Sequence, residues 1–271
     1  MDFVCPKGGG ALSVFDGGIK RCALGHSFDR AKEGYYNLLL GVGGGAHGDN
    51  ELMLRARRNF LDRGYYEPLA KALTETVLSV TGKGGALLDA GCGEGYYTNL
   101  VERALFQRDG GSMVLAFDIS KAAVKMTAKR NKAVKSAVAS AYAIPLSDSS
   151  VDTVMNVFSP MAISETLRVL KTGGRFVLVY PGVDHLYSLK AAIYDTPYKN
   201  SPEGGELSGM RLDSVNSVAY TMDLDTPEAI NSLFMMTPYA YRTSEVGRVR
   251  LSALTNLKCE AQFLIATYTK M

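Results

Sequence analysis

The segment Leu88-Asp89-Ala90-Gly91-Cys92-Gly93-Glu94-Gly95-Tyr96 constrains this chain more than any other. It follows a short apolar run, Ala86 to Ala90, and opens a helical pattern at Tyr96. Three alternating glycines let the backbone turn sharply and let a ligand approach without meeting Cβ atoms. The alternation then continues. Strands are predicted at 113–117, 134–139, 151–157 and 175–180, with helices at 121–132 and 162–170 between them. Further strands are predicted at 215–224 and 258–269, with a helix at 227–236. Seven strands alternating with helices predict an α/β fold built on a doubly wound, mostly parallel sheet. Before the sheet, two helices are expected at 51–61 and 67–80, and the polar stretch Asp195 to Asp213 reads as a long loop.

The charge of the glycine loop narrows its ligand. A dinucleotide rests its pyrophosphate on the helix N-terminus, which favours neutral or basic loop residues. This loop carries Asp89 and Glu94. S-adenosylmethionine has no phosphate, and it carries a sulfonium and an ammonium group. An opposite charge ~4 Å away is worth about 4 kcal/mol at an effective dielectric near 20. The sign of the loop therefore selects the cationic cofactor, with Asp89, Gly91, Gly93, Glu94 and Gly95 as its cradle. Asp118, at the end of the next strand, suits the ribose hydroxyls. Its plainer reading is a helix N-cap, because both Asp118 and Ser120 precede a helix, but its spacing from the glycine loop favours the ribose role.

Bulk properties exclude several classes. Hydrophobic residues make up 46% of the 271 and charged residues 21%, which is not the composition of a disordered chain. A formal net charge of +3 permits an RNA partner without demanding one. Four scattered cysteines, Cys5, Cys22, Cys92 and Cys259, do not make a secreted disulfide scaffold. The expectation is a reducing cytoplasm, with no leader sequence and no membrane span.

Several longer segments carry a more specific likeness. They are His26-x-Phe28-Asp29-x-Ala31-Lys32-Glu33-Gly34-Tyr35-x-Asn37-Leu38-Leu39, Ala56-Arg57-Arg58-x-Phe60-Leu61 and Gly64-x-Tyr66-x-Pro68-Leu69. The glycine loop through Thr98, Pro181-Gly182-x-x-His185-Leu186 and Met236-Thr237-Pro238-Tyr239 join them. Together they resemble the bacterial 23S ribosomal RNA guanine-N1 methyltransferases, and the likeness covers nearly the whole chain. The resemblance implies a class I methyltransferase sheet, a small N-terminal zinc-ribbon-like module, a homodimer, and methyl transfer to guanine N1 in a 23S hairpin. It implies cofactor contacts from Tyr66, Gly93, Glu94 and His185. The corresponding division is 1–35 for the module, 36–83 for a helical linker and 84–271 for the methyltransferase domain.

The zinc pattern of that family is incomplete here. Cys5 and the Cys22-x3-His26 pair match, but Gly8 stands where a second cysteine is expected. Structural zinc takes four ligands and three remain. The expectation is a module held by packing alone, with Asp16 or His47 as the distant alternatives for a fourth ligand.

Guanine N1 must lose a proton during methylation, and no histidine or carboxylate announces itself as the base. Asn156-Val157-Phe158-Ser159-Pro160 follows the fourth strand. Phe158 is expected to stack on a flipped base, with Ser159 and Pro160 positioning its edge. Their plainer reading is a core phenylalanine in a proline-terminated strand. RNA phosphates are expected at Arg55, Arg57, Arg58 and Arg63, with Lys32, while the basic helix carrying Lys121, Lys125, Lys129, Arg130 and Lys132 reads as a solvated face. Two rival readings remain: a methyltransferase for a small molecule, and a non-catalytic RNA-binding descendant.

Overall fold

The computed structural model describes residues 1–41, 48–202 and 204–271. A three-stranded antiparallel sheet, β1 (Ser13–Val14), β2 (Lys20–Arg21) and β3 (Ser27–Phe28), forms the N-terminal module. The chain then forms β4 (Tyr36–Asn37), α1 (Glu51–Asp62) and α2 (Glu67–Val80). The main alternation runs β5 (Ala86–Ala90), α3 (Tyr96–Asp109), β6 (Met113–Asp118), α4 (Lys121–Arg130), β7 (Lys135–Val138), β8 (Val151–Val157), α5 (Ile163–Val169) and β9 (Leu170–Pro181). It closes with α6 (Tyr187–Ile193), β10 (Met210–Leu224), α7 (Pro227–Met235), α8 (Glu245–Ser252) and β11 (Leu257–Lys270).

These strands build one sheet in the order β10-β11-β9-β8-β5-β6-β7-β4. The pairs from β9 to β4 are parallel, and β11 and β10 add an antiparallel edge. The chain leaves β5 for β6 on one side and later returns with β8 on the other. That reversal opens a crevice at the carboxyl ends of these strands, where doubly wound sheets bind ligands.

The sheet has eight strands, where the sequence pattern predicts seven. The addition is β4, which pairs with β7 through Tyr36 and Asn37. Two residues are too few to carry a hydrophobic period, so the strand left no mark in the sequence. The long loop is also shorter than expected. Residues from Met210 to Asp213 belong to β10, which begins five residues before the predicted start.

Both faces of the sheet are buried, and successive residues divide between two cores. Leu87 points into a core with Phe60, Tyr66, Leu73, Val101 and Phe263. Its neighbours Ala86 and Leu88 join the opposite core, with Phe3, Tyr36, Leu38 and Phe176. Phe3 and Tyr36 therefore pack the module and the linker onto the main sheet. No helix among the described residues is long and apolar enough to cross a membrane.

Candidate active site

A cavity of about 930 Å³ opens at the switch point, which is near the upper end for ligand pockets. Its wall includes every cofactor candidate from the sequence except Gly95, together with Phe158, Ser159 and Pro160. Gly95 precedes α3 in a left-handed conformation. A Cβ there would sit 2.9 Å from the Thr127 Cα. Its role is to let the glycine loop lie against α4.

Asp89 ends buried at the base of the cavity. The Thr98 hydroxyl donates to one carboxylate oxygen at 2.5 Å, and the other has no partner. Burial raises the Asp89 pKa to about 7, the Thr98 hydrogen bond opposes that shift, and the Asp118 charge adds to it. An unpartnered buried carboxylate oxygen is costly. A bound ammonium group removes that cost.

Asp118 accepts from the backbone N–H of Gly93 at 3.0 Å and of Ser120 at 2.8 Å. Burial moves its pKa upward. The cap of α4 is Ser120, which accepts from Ala123. Asp118 instead fastens the glycine loop to the tip of β6 and presents its remaining lone pairs to the cavity.

Glu94 is almost wholly buried, and its environment differs from that of Asp89. One of its oxygens accepts from Arg58 Nε at 3.1 Å and from Arg130 at 2.6 Å, while the other is unpartnered. Arg130 also pairs with Asp62. Two guanidiniums neutralise Glu94, so the acidity of the cavity rests on Asp89 and Asp118. Two sequence expectations change accordingly. Arg130 is not part of a freely solvated face, because it clasps α1 and the glycine loop to α4. Arg57 and Arg58 are not free for phosphate either: Arg57 pairs with Asp49 and lines the cavity, and Arg58 is held by Glu94. Arg55, Arg63 and Lys32 remain exposed.

The aromatic wall forms opposite. Tyr66 is buried at the start of α2, with its ring 5.1 Å from Phe60, 4.8 Å from Phe263 and 6.2 Å from His185. Burial holds its pKa well above the ordinary value, so its hydroxyl stays protonated. Burial, then the nearby Lys190 charge, pushes the His185 pKa down to about 3. Its Nδ1 accepts from the Gln262 N–H at 3.3 Å. The neutral ring therefore carries its proton on Nε2.

Phe158 has φ of 53°, a left-handed conformation, and the residue is 46% exposed. The next turn is braced by Asn156. Its amide oxygen accepts from the Ser159 N–H at 3.3 Å, and its amide nitrogen donates to the Pro160 carbonyl at 3.3 Å. Ser159 lies against the glycine loop, where a Cβ on Gly91 would be 2.0 Å from its Oγ. Gly91 also has φ of 91°. No other residue fits both constraints.

Wall residues that sequence reasoning did not single out include Ser140, Tyr142 and Tyr241. They come from segments with no motif of their own. Tyr239 also lines the cavity, and only the segment resemblance marked it.

Comparison with known proteins decides the family. The chain is 34% identical to a 23S rRNA (guanine(748)-N(1))-methyltransferase from Streptomyces fradiae, over 74% of this chain and 70% of that one. The chain belongs to the 23S rRNA guanine-N1 methyltransferase family. A Bacillus subtilis protein assigned guanine-N1 methylation of 23S rRNA is 29% identical over 94% of this chain and 92% of its own length. The methyltransferase domain family matches residues 88–178, and the family described as RlmA, N-terminal, a zinc ribbon, matches residues 3–40. An Anaeromyxobacter dehalogenans structure assigned as a type II methyltransferase has the same fold, with a TM-score of 0.50 at 19% identity over 73% of this chain and 94% of that one. S-adenosylmethionine is accordingly the methyl donor, and the unpartnered Asp89 oxygen fits its cationic end.

The zinc ribbon of this family is present in altered form. Cys5 Sγ and Cys22 Sγ each lie 3.4 Å from His26 Nδ1, and the three donor atoms cluster within 4.8 Å. Asp16 is not part of the cluster, and His47 lies outside the described residues. A Cβ on Gly8 would stand 2.8 Å from Leu24 Cδ1, so an apolar side chain occupies the space beside the missing ligand. Three protein donors fall one short of a closed structural site and would leave the fourth position to water.

Three outcomes are expected. Elemental analysis after dialysis should find well under one zinc per chain, and a full equivalent would show that three protein ligands suffice. Calorimetry should show affinity for S-adenosylhomocysteine rising about tenfold from pH 6 to pH 8 as Asp89 ionises. The rise should vanish in Asp89→Asn. The same raised pKa withdraws stability from the unliganded fold as pH climbs from the ordinary carboxylate range through about 7. In urea unfolding, Arg130→Ala should lose about 3 kcal/mol and Arg58→Ala less, because Arg130 alone also holds Asp62. Equal small losses would remove the clasp from the stability account.

Proposed function

We propose that this chain methylates N1 of a guanine in 23S ribosomal RNA. The observation that carries the reading is one cavity with a buried, unpartnered carboxylate oxygen at its base and an outward-facing Phe158 on its wall. The first suits a cationic donor, and the second suits a planar acceptor. The activity of the Streptomyces fradiae relative supports the same pairing.

When bound, S-adenosylmethionine supplies an electrophilic methyl group. Asp89 would neutralise its ammonium, Asp118 would accept from its ribose, and Gly91 and Gly93 would let it approach the loop closely. Glu94 anchors that loop. Tyr66 and His185 offer hydroxyl and Nε2–H donors across the cavity. Phe158 stacks on the guanine after it leaves its base pair, while the Ser159–Pro160 turn meets its edge. Holding acceptor and donor in line lowers the barrier by roughly 7–11 kcal/mol. His185, with its pKa near 3, does not take the N1 proton at neutral pH, so as the N1–methyl bond forms and the sulfur–methyl bond breaks that proton passes to water.

The wider reading is a cytoplasmic homodimer in which residues 1–35 and the linker 36–83 help dock an RNA hairpin against the domain 84–271. Arg55, Arg63 and Lys32 meet phosphates. Mass mapping of ribosomal RNA from cells with and without the gene should find one N1-methylguanine that depends on it. Identical methylation in both would defeat the proposal. With purified enzyme, Phe158→Ala should lower RNA methylation at least tenfold and leave S-adenosylhomocysteine affinity unchanged. Asp89→Asn should lower both.

A further inference from the structure

Six aromatic side chains are left exposed among the described residues: Phe15, Phe106, Tyr142, Phe158, Tyr198 and Tyr241. Tyr142, Phe158 and Tyr241 line the one catalytic cavity. Tyr142 is 72% exposed and Tyr241 is 64% exposed, so both rings stand at its mouth rather than in its floor. They arrive from different parts of the chain. Tyr142 follows β7, and Tyr241 ends the short turn after α7.

Neither ring is explained by packing. The Tyr241 hydroxyl accepts from Asn50 Nδ2 at 2.9 Å and donates to Met53 Sδ at 2.7 Å. Those bonds hold the ring at the start of α1, and the residue is still largely exposed. Tyr142 sits in a turn whose backbone N–H donates to Ser140 Oγ at 3.2 Å. Tyr241 is held at its hydroxyl and Tyr142 through its backbone, and both side chains remain largely exposed. Arg242 follows Tyr241 directly, is exposed, and has no carboxylate partner among the described residues. Arg55 and Arg63 are also exposed on and just after α1.

We propose that Tyr142 and Tyr241 are stacking platforms for the nucleotides flanking the target guanine, with Arg242 on an adjacent phosphate. This rests on the ribosomal RNA reading above and deepens it. Guanine N1 lies on the Watson–Crick edge, so the target must leave its pair before it is methylated. Its neighbours then lose stacking partners. Aromatic faces beside the mouth replace that stacking, and they take any base because every base has a π face. The occupant is a single-stranded loop of RNA with splayed bases. A small metabolite would fill the interior and leave the rim untouched.

The test uses the full-length protein and a synthetic RNA hairpin with a guanine in its loop. Tyr142→Ala and Tyr241→Leu should each weaken hairpin binding about 5-fold or more. Affinity for S-adenosylhomocysteine should not change. Tyr241→Phe, which keeps the ring and loses only the hydroxyl contacts to Asn50 and Met53, should lose less RNA affinity than Tyr241→Leu. Plots of log affinity against log salt should keep their slope in the tyrosine variants, while Arg242→Ala should flatten it by about 0.7. Wild-type affinity for the hairpin in both tyrosine variants would overturn the proposal. So would a matching loss of S-adenosylhomocysteine binding, which would make these rings cofactor contacts. A wild-type protein that binds S-adenosylhomocysteine but neither binds nor methylates the hairpin would overturn the RNA reading itself.

Discussion

The clasp on Glu94 sets the rest of the site. A carboxylate this deep is untenable alone, and two guanidiniums from α1 and α4 hold it. In doing so they fix the glycine loop between two helices. Asp118 fastens the same loop from below through the Gly93 N–H. With Glu94 neutralised, the loop keeps one acid without a cation, Asp89. Removing the clasp would therefore blur both the position of the loop and the charge that the cavity presents.

Much of this was legible in the sequence, for physical reasons that differ by residue. Parallel strands buried on both faces read as continuous apolar runs, so β5, β6 and β8 stood out. Glycines at alternate positions marked the turn. The two readings of Asp118 could be separated only in three dimensions, where Ser120 takes the capping role. Elements of a few residues left no period: β4 has two, α6 seven and α8 eight. Arg58 looked available because its partner lies far along the chain. Arg58 meets Glu94 thirty-six positions away. The conformation of Phe158 was hidden for another reason, because no glycine or asparagine signals a left-handed residue there.

The N-terminal module shows how a fold tolerates a missing metal ligand. Its sheet is small, with strands of two residues each. Such a sheet does not stand alone. Phe3 enters the core of the main sheet, the Val4 N–H donates to the Pro145 carbonyl at 2.9 Å, and Lys20 pairs with Asp2 while lying over the Tyr36 ring. Packing against the larger domain replaces part of what a fourth ligand would supply.

The backbone of Phe158 has an evolutionary consequence. A left-handed phenylalanine raises the energy of the folded state by about 1–2 kcal/mol. Glycine at the same place would relieve that penalty and would also delete the ring. Selection for thermal robustness alone would thus drift toward a sturdier protein with a blank wall, while selection for turnover would hold the awkward residue in place. Homologues freed from modifying RNA are where this position would be expected to relax first.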